Sequence, residues 1–201
     1  MRSGTAPDCN FLAAKVILII GINGACRSNE LLNLTVNAIE KHSDELLLVN
    51  LPNTKTNIDR SFVIRDEYVK IVEKYKALRP DNTKTDRFFL QYRNDKCSRQ
   101  PMGINKIGGT PQQIATFLKL QEPHLYTGHC VRRISATLLA DSGANLTTLK
   151  RHGGWKSNTV AEGYIEDSIE NKSKTCKRIL QSINFKPDPY APLYFQRHNY
   201  H

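Results

Sequence analysis

The run Phe11-Leu12-Ala13-Ala14-Lys15-Val16-Ile17-Leu18-Ile19-Ile20-Gly21-Ile22 constrains this chain more than any other stretch. With Arg2 ahead of it, the run has the outline of a secretory signal, a positive flank followed by an apolar segment. Lys15 interrupts it, however, and it falls well short of the roughly 20 apolar residues that a bilayer-spanning helix needs. Read at helical spacing, it is a mainly apolar helix from about Phe11 to Gly21 that belongs in a core. The rest of the chain must be built around it. At 201 residues there is enough chain for one such core and a tail, but two full domains would be cramped.

Downstream the pattern alternates between short strands and helices. After the Asn23-Gly24 break, a short helix carries Arg27 to Leu32. Glu45–Leu51 and Ser61–Ile64 read as strands, joined by the polar turn Pro52-Asn53-Thr54-Lys55-Thr56-Asn57, so that a lysine stands near the tip of a hairpin. A weaker strand over Leu34–Ile39 would complete a small antiparallel sheet. From Asp66 to Leu78 the pattern is helical, with Tyr68, Ile71, Val72 and Tyr75 on one face. The apolar run Phe88-Phe89-Leu90 is followed by a basic loop to Pro101. Thr110-Pro111 starts a helix over Gln112–Leu120. Further helices are expected over Cys130–Asp141, Leu146–Arg151, Thr159–Ile165 and Ser168–Leu180, with Thr159 and Glu162 as a capping box. The expected class is α+β, mainly helical, with a small antiparallel sheet. Residues 1–10 read as a leader, 11–183 as one domain and 184–201 as a tail.

Charge narrows the function. The chain carries 29 Lys and Arg against 19 Asp and Glu, a net +10. Such a surplus concentrates polyanions, and nucleic acid is the commonest of them, although a merely basic soluble surface would give the same figure. The five cysteines (Cys9, Cys26, Cys97, Cys130, Cys176) are odd in number and lack a Cys-x-x-Cys pair. That argues against a disulfide framework and a zinc site and for reduced thiols in an intracellular compartment. Neither a metal nor a cofactor is expected.

Several polar residues could carry chemistry, and each has an ordinary structural explanation when taken singly. His129 and Arg132 share one helix face if a helix begins there, where free backbone amides also favour an anion. Arg27 and Glu30 repeat the spacing with opposite charges, so the carboxylate can brace the guanidinium fork for a phosphate or form a plain surface pair. Trp155, the single tryptophan, donates one hydrogen bond and accepts none, although a lone tryptophan is more often packing. Tyr164 would face away from Trp155 in one continuous helix; the start signal Ser157-Asn158-Thr159 between them lets the two converge. Together, two arginines, a histidine, a tryptophan, a hairpin lysine and a tyrosine make a phosphate site with a nucleophile.

The segments GACRSNELLNL, LPNTKT, TGHCVRRISATLLADSGANLTTLKRHGGW and NTVAEGYI, in that order, resemble the successive motifs of the tyrosine recombinase, or phage integrase, superfamily catalytic domain. The resemblance runs from about Phe11 to Leu180. The His129–Tyr164 block is its most specific part, the Arg27 motif less so and the Lys55 match least. The Gly-Gly-Trp wording is most similar to Crypton-type transposon recombinases. The resemblance implies that Tyr164 attacks a DNA phosphorus, leaving a 3′-phosphotyrosine and a free 5′-hydroxyl. It also implies that Arg27 and Arg132 clamp the non-bridging oxygens and that Trp155 adds a neutral donor. Lys55 then protonates the leaving 5′-oxygen, His129 assists proton transfer and Glu30 orients the set. Double-stranded DNA is the implied partner, bound by a homotetramer, in the nucleus if the source is eukaryotic. Two departures stand out. The amino-terminal core-binding domain of relatives has no counterpart before Phe11, as expected of a fragment or a truncated product. The glycine usually placed just ahead of the motif arginine is also displaced, Ala25 and Cys26 separating Gly24 from Arg27, which reads as a loop variation. The competing readings are a domesticated DNA-binding module of the same fold without chemistry and a type IB topoisomerase. The latter is disfavoured by small size and by the lack of a linker before Tyr164.

Overall fold

A computed structural model of the chain describes residues 8–51, 59–93 and 96–183. In chain order the elements are α1 (Asp8–Asn23), α2 (Ser28–Asn33), a 3₁₀ turn (Val36–Ala38), β1 (Ile39–Ser43), β2 (Leu46–Leu51), β3 (Arg60–Arg65) and α3 (Glu67–Ala77). They continue with β4 (Leu90–Arg93), β5 (Lys96–Pro101), α4 (Ile104–Gly108), α5 (Thr110–Phe117), a second 3₁₀ turn (Pro123–Leu125), α6 (Gly128–Asp141), α7 (Leu146–Gly153), α8 (Asn158–Asp167) and α9 (Ile169–Ser182). The expected class holds: a mainly helical chain with a small antiparallel sheet ordered β1-β2-β3.

The apolar run is the centre of the larger core. Val16 and Ile20 are wholly buried, Leu12, Ala13, Ala14, Ile17 and Ile19 nearly so, and Lys15 points out to solvent. Burial on almost every side follows from the absence of a polar face on α1; α3, α5, α6 and β3 pack around it. Gly21 brings α6 very close, since a β-carbon there would lie 2.5 Å from Val131 Cγ1. The sheet covers the same core with Leu47, Val49, Leu51 and Ile64, in the alternation of a half-buried ladder. Among the described residues no helix is long and apolar enough to cross a membrane.

A second, smaller core lies between α6, α7 and α8. Ala136, Ala140, Leu149 and Ala161 are its fully buried members, and Trp155 and Tyr164 pack against it. Trp155 and Tyr164 therefore sit at the edge of this small cluster, beside α6.

Several local expectations are corrected. The weak strand over Leu34–Ile39 does not form. That segment bonds to the loop before β4 instead, through Phe88 N–H to the Leu34 carbonyl (2.7 Å) and Val36 N–H to the Asp86 carbonyl (2.9 Å). The strand starts only at Ile39. On α3 the buried stripe is Val69, Val72 and Tyr75, leaving Tyr68 46% exposed one position before it. Tyr75 is pinned there because its hydroxyl donates to the Leu90 carbonyl and accepts from the Leu90 N–H (3.2 and 3.0 Å). The expected basic loop between Leu90 and Pro101 is instead the β4–β5 hairpin, whose polar second strand gave no alternating signal. The short α4 was also missed. Thr159 does not cap α8. Ser157 holds the cap position and Thr159 lies inside the first turn. Ser168 does cap α9, accepting from Asn171 N–H while donating to Asp141 Oδ1 at 2.6 Å. The Cys26, Cys97, Cys130 and Cys176 thiols are free.

Candidate active site

Arg27 sits at the cap position of α2 with an extended backbone (φ −80°, ψ 155°). The displaced glycine is accommodated at Ala25, which takes the positive φ of 45° that turns the chain out of α1. Glu30 then binds Arg27 twice: Oε2 accepts the Arg27 backbone N–H and Oε1 accepts from Nη1, both at 2.8 Å. With the Glu30 side chain only 8% exposed, the pair is not the screened surface contact that the spacing alone allowed.

Arg132 projects from α6 and is 7% exposed. Its Nη1 donates to the Ala25 carbonyl (2.6 Å) and its Nη2 to the Gly153 carbonyl (2.5 Å). Its guanidinium carbon lies 4.6 Å from the centre of the Trp155 ring, a cation–π contact. Burial above all, and then repulsion from Arg27, lower its pKa to about 10, so it remains a cation at neutral pH. The Trp155 ring continues the stack onto Tyr164, with centroids 5.4 Å apart and planes inclined by 35°. Among the described residues neither the Trp155 indole N–H nor the Tyr164 hydroxyl makes a hydrogen bond, although the Tyr164 ring is half-buried.

His129 lies exposed on the first turn of α6. That helix start touches the start of α2, because Gly128 leaves the space in which a β-carbon would meet Ser28 Oγ at 2.3 Å. His129 and Arg27 thus belong to abutting helix ends. The structure brings Arg27, Glu30, Arg132, Trp155 and Tyr164 into one constellation with His129 at its rim. Lys55 falls within residues 52–58, outside the described residues.

A scan against family models matches residues 5–170 to the phage integrase family. The chain belongs to that family. Solved structures with the same fold include the XerA recombinase (18% identity, 89% of this chain and 65% of that one, TM-score 0.67). Others are the XerH site-specific recombinase in a post-cleavage complex with a palindromic difH substrate (15%, 88% and 48%, 0.66) and the Tn1549 transposon integrase in complex with transposon right end DNA (19%, 82% and 58%, 0.60). This integrase-family chain therefore spans between about half and two-thirds of the length of those proteins. No curated protein matches it significantly. None of these matches bears on the Crypton-type placement.

Three further members of this cluster in the integrase-family chain escaped the sequence reading. Arg60, the first residue of β3, is buried and donates to Glu30 Oε2 (2.8 Å), the Gly24 carbonyl (2.9 Å) and the His152 carbonyl (2.5 Å). His152 Nε2 lies 2.8 Å from Ser135 Oγ. Burial, then Arg60 and Arg132, hold the His152 pKa below its ordinary value. Cys26, 1% exposed, has its thiol pushed up to about 12 by burial and, next, by Glu30, so it stays neutral. A buried arginine at a strand start gives no periodic signal of its own. The one available hint was the odd placement of a charge where the strand pattern expects an inward residue.

Proposed function

We propose that this chain is the catalytic domain of a site-specific recombinase that breaks and rejoins double-stranded DNA through Tyr164. One observation carries the reading. Two guanidiniums, Arg27 and Arg60, hold one carboxylate, Glu30, and a third, Arg132, lies close enough to feel their charges, beside a tyrosine whose hydroxyl is unpaired among the described residues. The Cys26 thiol is neutral there, so the cluster keeps a surplus of positive charge that favours an added anion. A buried surplus of this kind is costly to a fold and is what a phosphate site requires.

In this reading Tyr164 Oη attacks the phosphorus, the bond to the 5′-oxygen breaks, and a 3′-phosphotyrosine remains. The new bond retains the energy needed for rejoining, so the cut requires no nucleotide cofactor. Arg27 has one side-chain N–H bound to Glu30 and Arg132 has two bound to carbonyls. Of the five N–H donors on each, enough remain to meet the non-bridging oxygens as charge develops. Trp155 adds an uncharged donor, Lys55 protonates the 5′-oxygen, and His129, at the exposed rim, relays protons. The XerH and Tn1549 relatives were solved bound to DNA, which supports DNA as the partner; a homotetramer is the assembly the family implies. Nothing in the geometry favours a binding module without chemistry.

The test is a pool of nicked duplexes of random sequence incubated with the protein. An SDS-resistant protein–DNA adduct that disappears in Tyr164→Phe is expected. Saturated DNA binding with no adduct from the wild type would sink the enzymatic reading.

A further inference from the structure

We infer that Arg60 is a positioning residue for strand cleavage: it fixes Glu30 so that Glu30 can aim Arg27 at the phosphate. This deepens the recombinase reading above and rests on it.

The three acceptors of Arg60 belong to the segments that carry the site. Glu30 Oε2 is the brace of Arg27, the Gly24 carbonyl lies in the turn leading to Arg27, and the His152 carbonyl lies just before the loop to Trp155. That loop is shaped on the Arg60 side chain, since a β-carbon on Gly154 would fall 2.9 Å from Arg60 Cδ. The Arg60 and Glu30 side chains are only 5% and 8% exposed, whereas Arg27 is 25% exposed. The order of burial gives the order of action. Arg60 is the fixed end, Glu30 the link, and Arg27 the end that meets ligand.

A carboxylate can rotate about its last bond. Glu30 is prevented from doing so because Oε2 is held by Arg60 Nη2 and by the Arg27 backbone N–H, leaving Oε1 in one direction for Arg27 Nη1. A buried ion pair adds little to stability compared with apolar packing, so stability alone does not account for a guanidinium here. What apolar packing cannot supply is three donors at fixed angles to three acceptors. Lysine, a single point charge, cannot span them.

Two measurements test this on Arg60→Met and Arg60→Lys, with Arg60→Met/Glu30→Gln as the fallback that removes the uncompensated buried carboxylate if Arg60→Met does not fold. The first needs no DNA. The Arg27 Nη resonances should show restricted rotation in the wild type and averaging in both single variants, against a backbone spectrum otherwise preserved. The second follows adduct formation on a duplex captured in the assay above. Both variants should cleave about 10- to 100-fold more slowly, the usual cost of removing a group that orients a functional one, a loss that exceeds any change in DNA affinity. Replacing the scissile phosphate with a methylphosphonate, which lacks one negative charge and so depends less on Arg27, should abolish most of that difference. Arg27 resonances that stay restricted in Arg60→Met would overturn the inference whatever the enzyme does. Equal slowing on phosphate and methylphosphonate would overturn it too, since that marks general loss of structure. A wild type that never forms an adduct refutes the recombinase reading separately, and the resonances still decide whether Arg60 fixes Arg27.

Discussion

Adding one methyl group at Gly153 tests whether the stack of Arg132, Trp155 and Tyr164 is as tight as the geometry says. A β-carbon there would lie 2.2, 2.3 and 2.5 Å from Cζ3, Cε3 and Cη2 of Trp155. Carbon atoms rest at about 3.5–4.0 Å, so in Gly153→Ala the indole must retreat by about 1 Å or more. Its retreat is hindered by the Arg132 guanidinium 4.6 Å from its ring centre and by the Tyr164 ring at 5.4 Å. Forced overpacking of this kind costs about 1–3 kcal/mol. The opposing term is helix propensity, where alanine gains up to about 1 kcal/mol over glycine. Gly153 is the last residue of α7, so it collects only part of that gain. The clash wins, leaving a net loss of about 1–2 kcal/mol. For a chain of this size that is a melting temperature lower by about 2–8 °C. Trp155 is the only tryptophan, so its emission reports this contact alone and should shift in the folded variant, while adduct formation falls. A Gly153→Ala protein that melts at or above the wild type with unchanged tryptophan emission would refute the reasoning.

Two further substitutions probe the same region. Gly163→Ala places a β-carbon in open space inside α8, with nothing within 4 Å; thermal melts should show stabilisation by about 1 kcal/mol, and any destabilisation would mean that α8 needs its glycine. His152→Gln keeps a hydrogen-bonding group beside Ser135 but removes a titrating one. Because the His152 pKa is lowered in the folded state, the unfolded chain takes the proton first as pH falls below about 6.5. Stability attributable to His152 is therefore intact above that pH, declines below it, and levels off beneath the folded-state pKa. Urea titrations at pH 7.5 and 5 should show a smaller acid loss in His152→Gln; equal losses would remove His152 from the acid response.

Much of the fold was legible because its signals are local and strong. The α1 run has no polar face to expose, Leu47, Val49 and Leu51 alternate, and Asn145 and Ser168 sit where helices start. What was not legible depends on partners remote in sequence. Leu34 and Val36 gave up strand geometry for hydrogen bonds to the loop before β4. The strand Lys96–Pro101 exists because Leu90 and Tyr92 lie opposite it, not because its side chains alternate. The site divides in the same way. Arg27 with Glu30, and Trp155 with Tyr164, could be read from spacing and helix breaks. Arg60 could not, because its three acceptors come from Gly24, Glu30 and His152, and no spacing in the sequence links them.

The charge surplus raises the question of how the fold tolerates it before any anion arrives. A second carboxylate near Arg60 and Arg132 would halve the surplus, but it would also occupy the donors that a phosphate needs. The chain uses backbone carbonyls instead. The Gly24 and Ala25 carbonyls come from the turn after α1, and the His152 and Gly153 carbonyls from the last turn of α7. The end of a helix carries roughly half a negative charge on its unpaired carbonyls. By pointing that end at Arg60 and Arg132, α7 offsets part of the repulsion without adding a group that competes for phosphate as a full charge. This explains why Gly153 closes α7: the residue must lend its carbonyl to Arg132 while its missing β-carbon admits Trp155. The same arrangement accounts for neutral Cys26 and His152 beside the arginines, since an ionised thiol would reduce the surplus and a protonated imidazole would enlarge it.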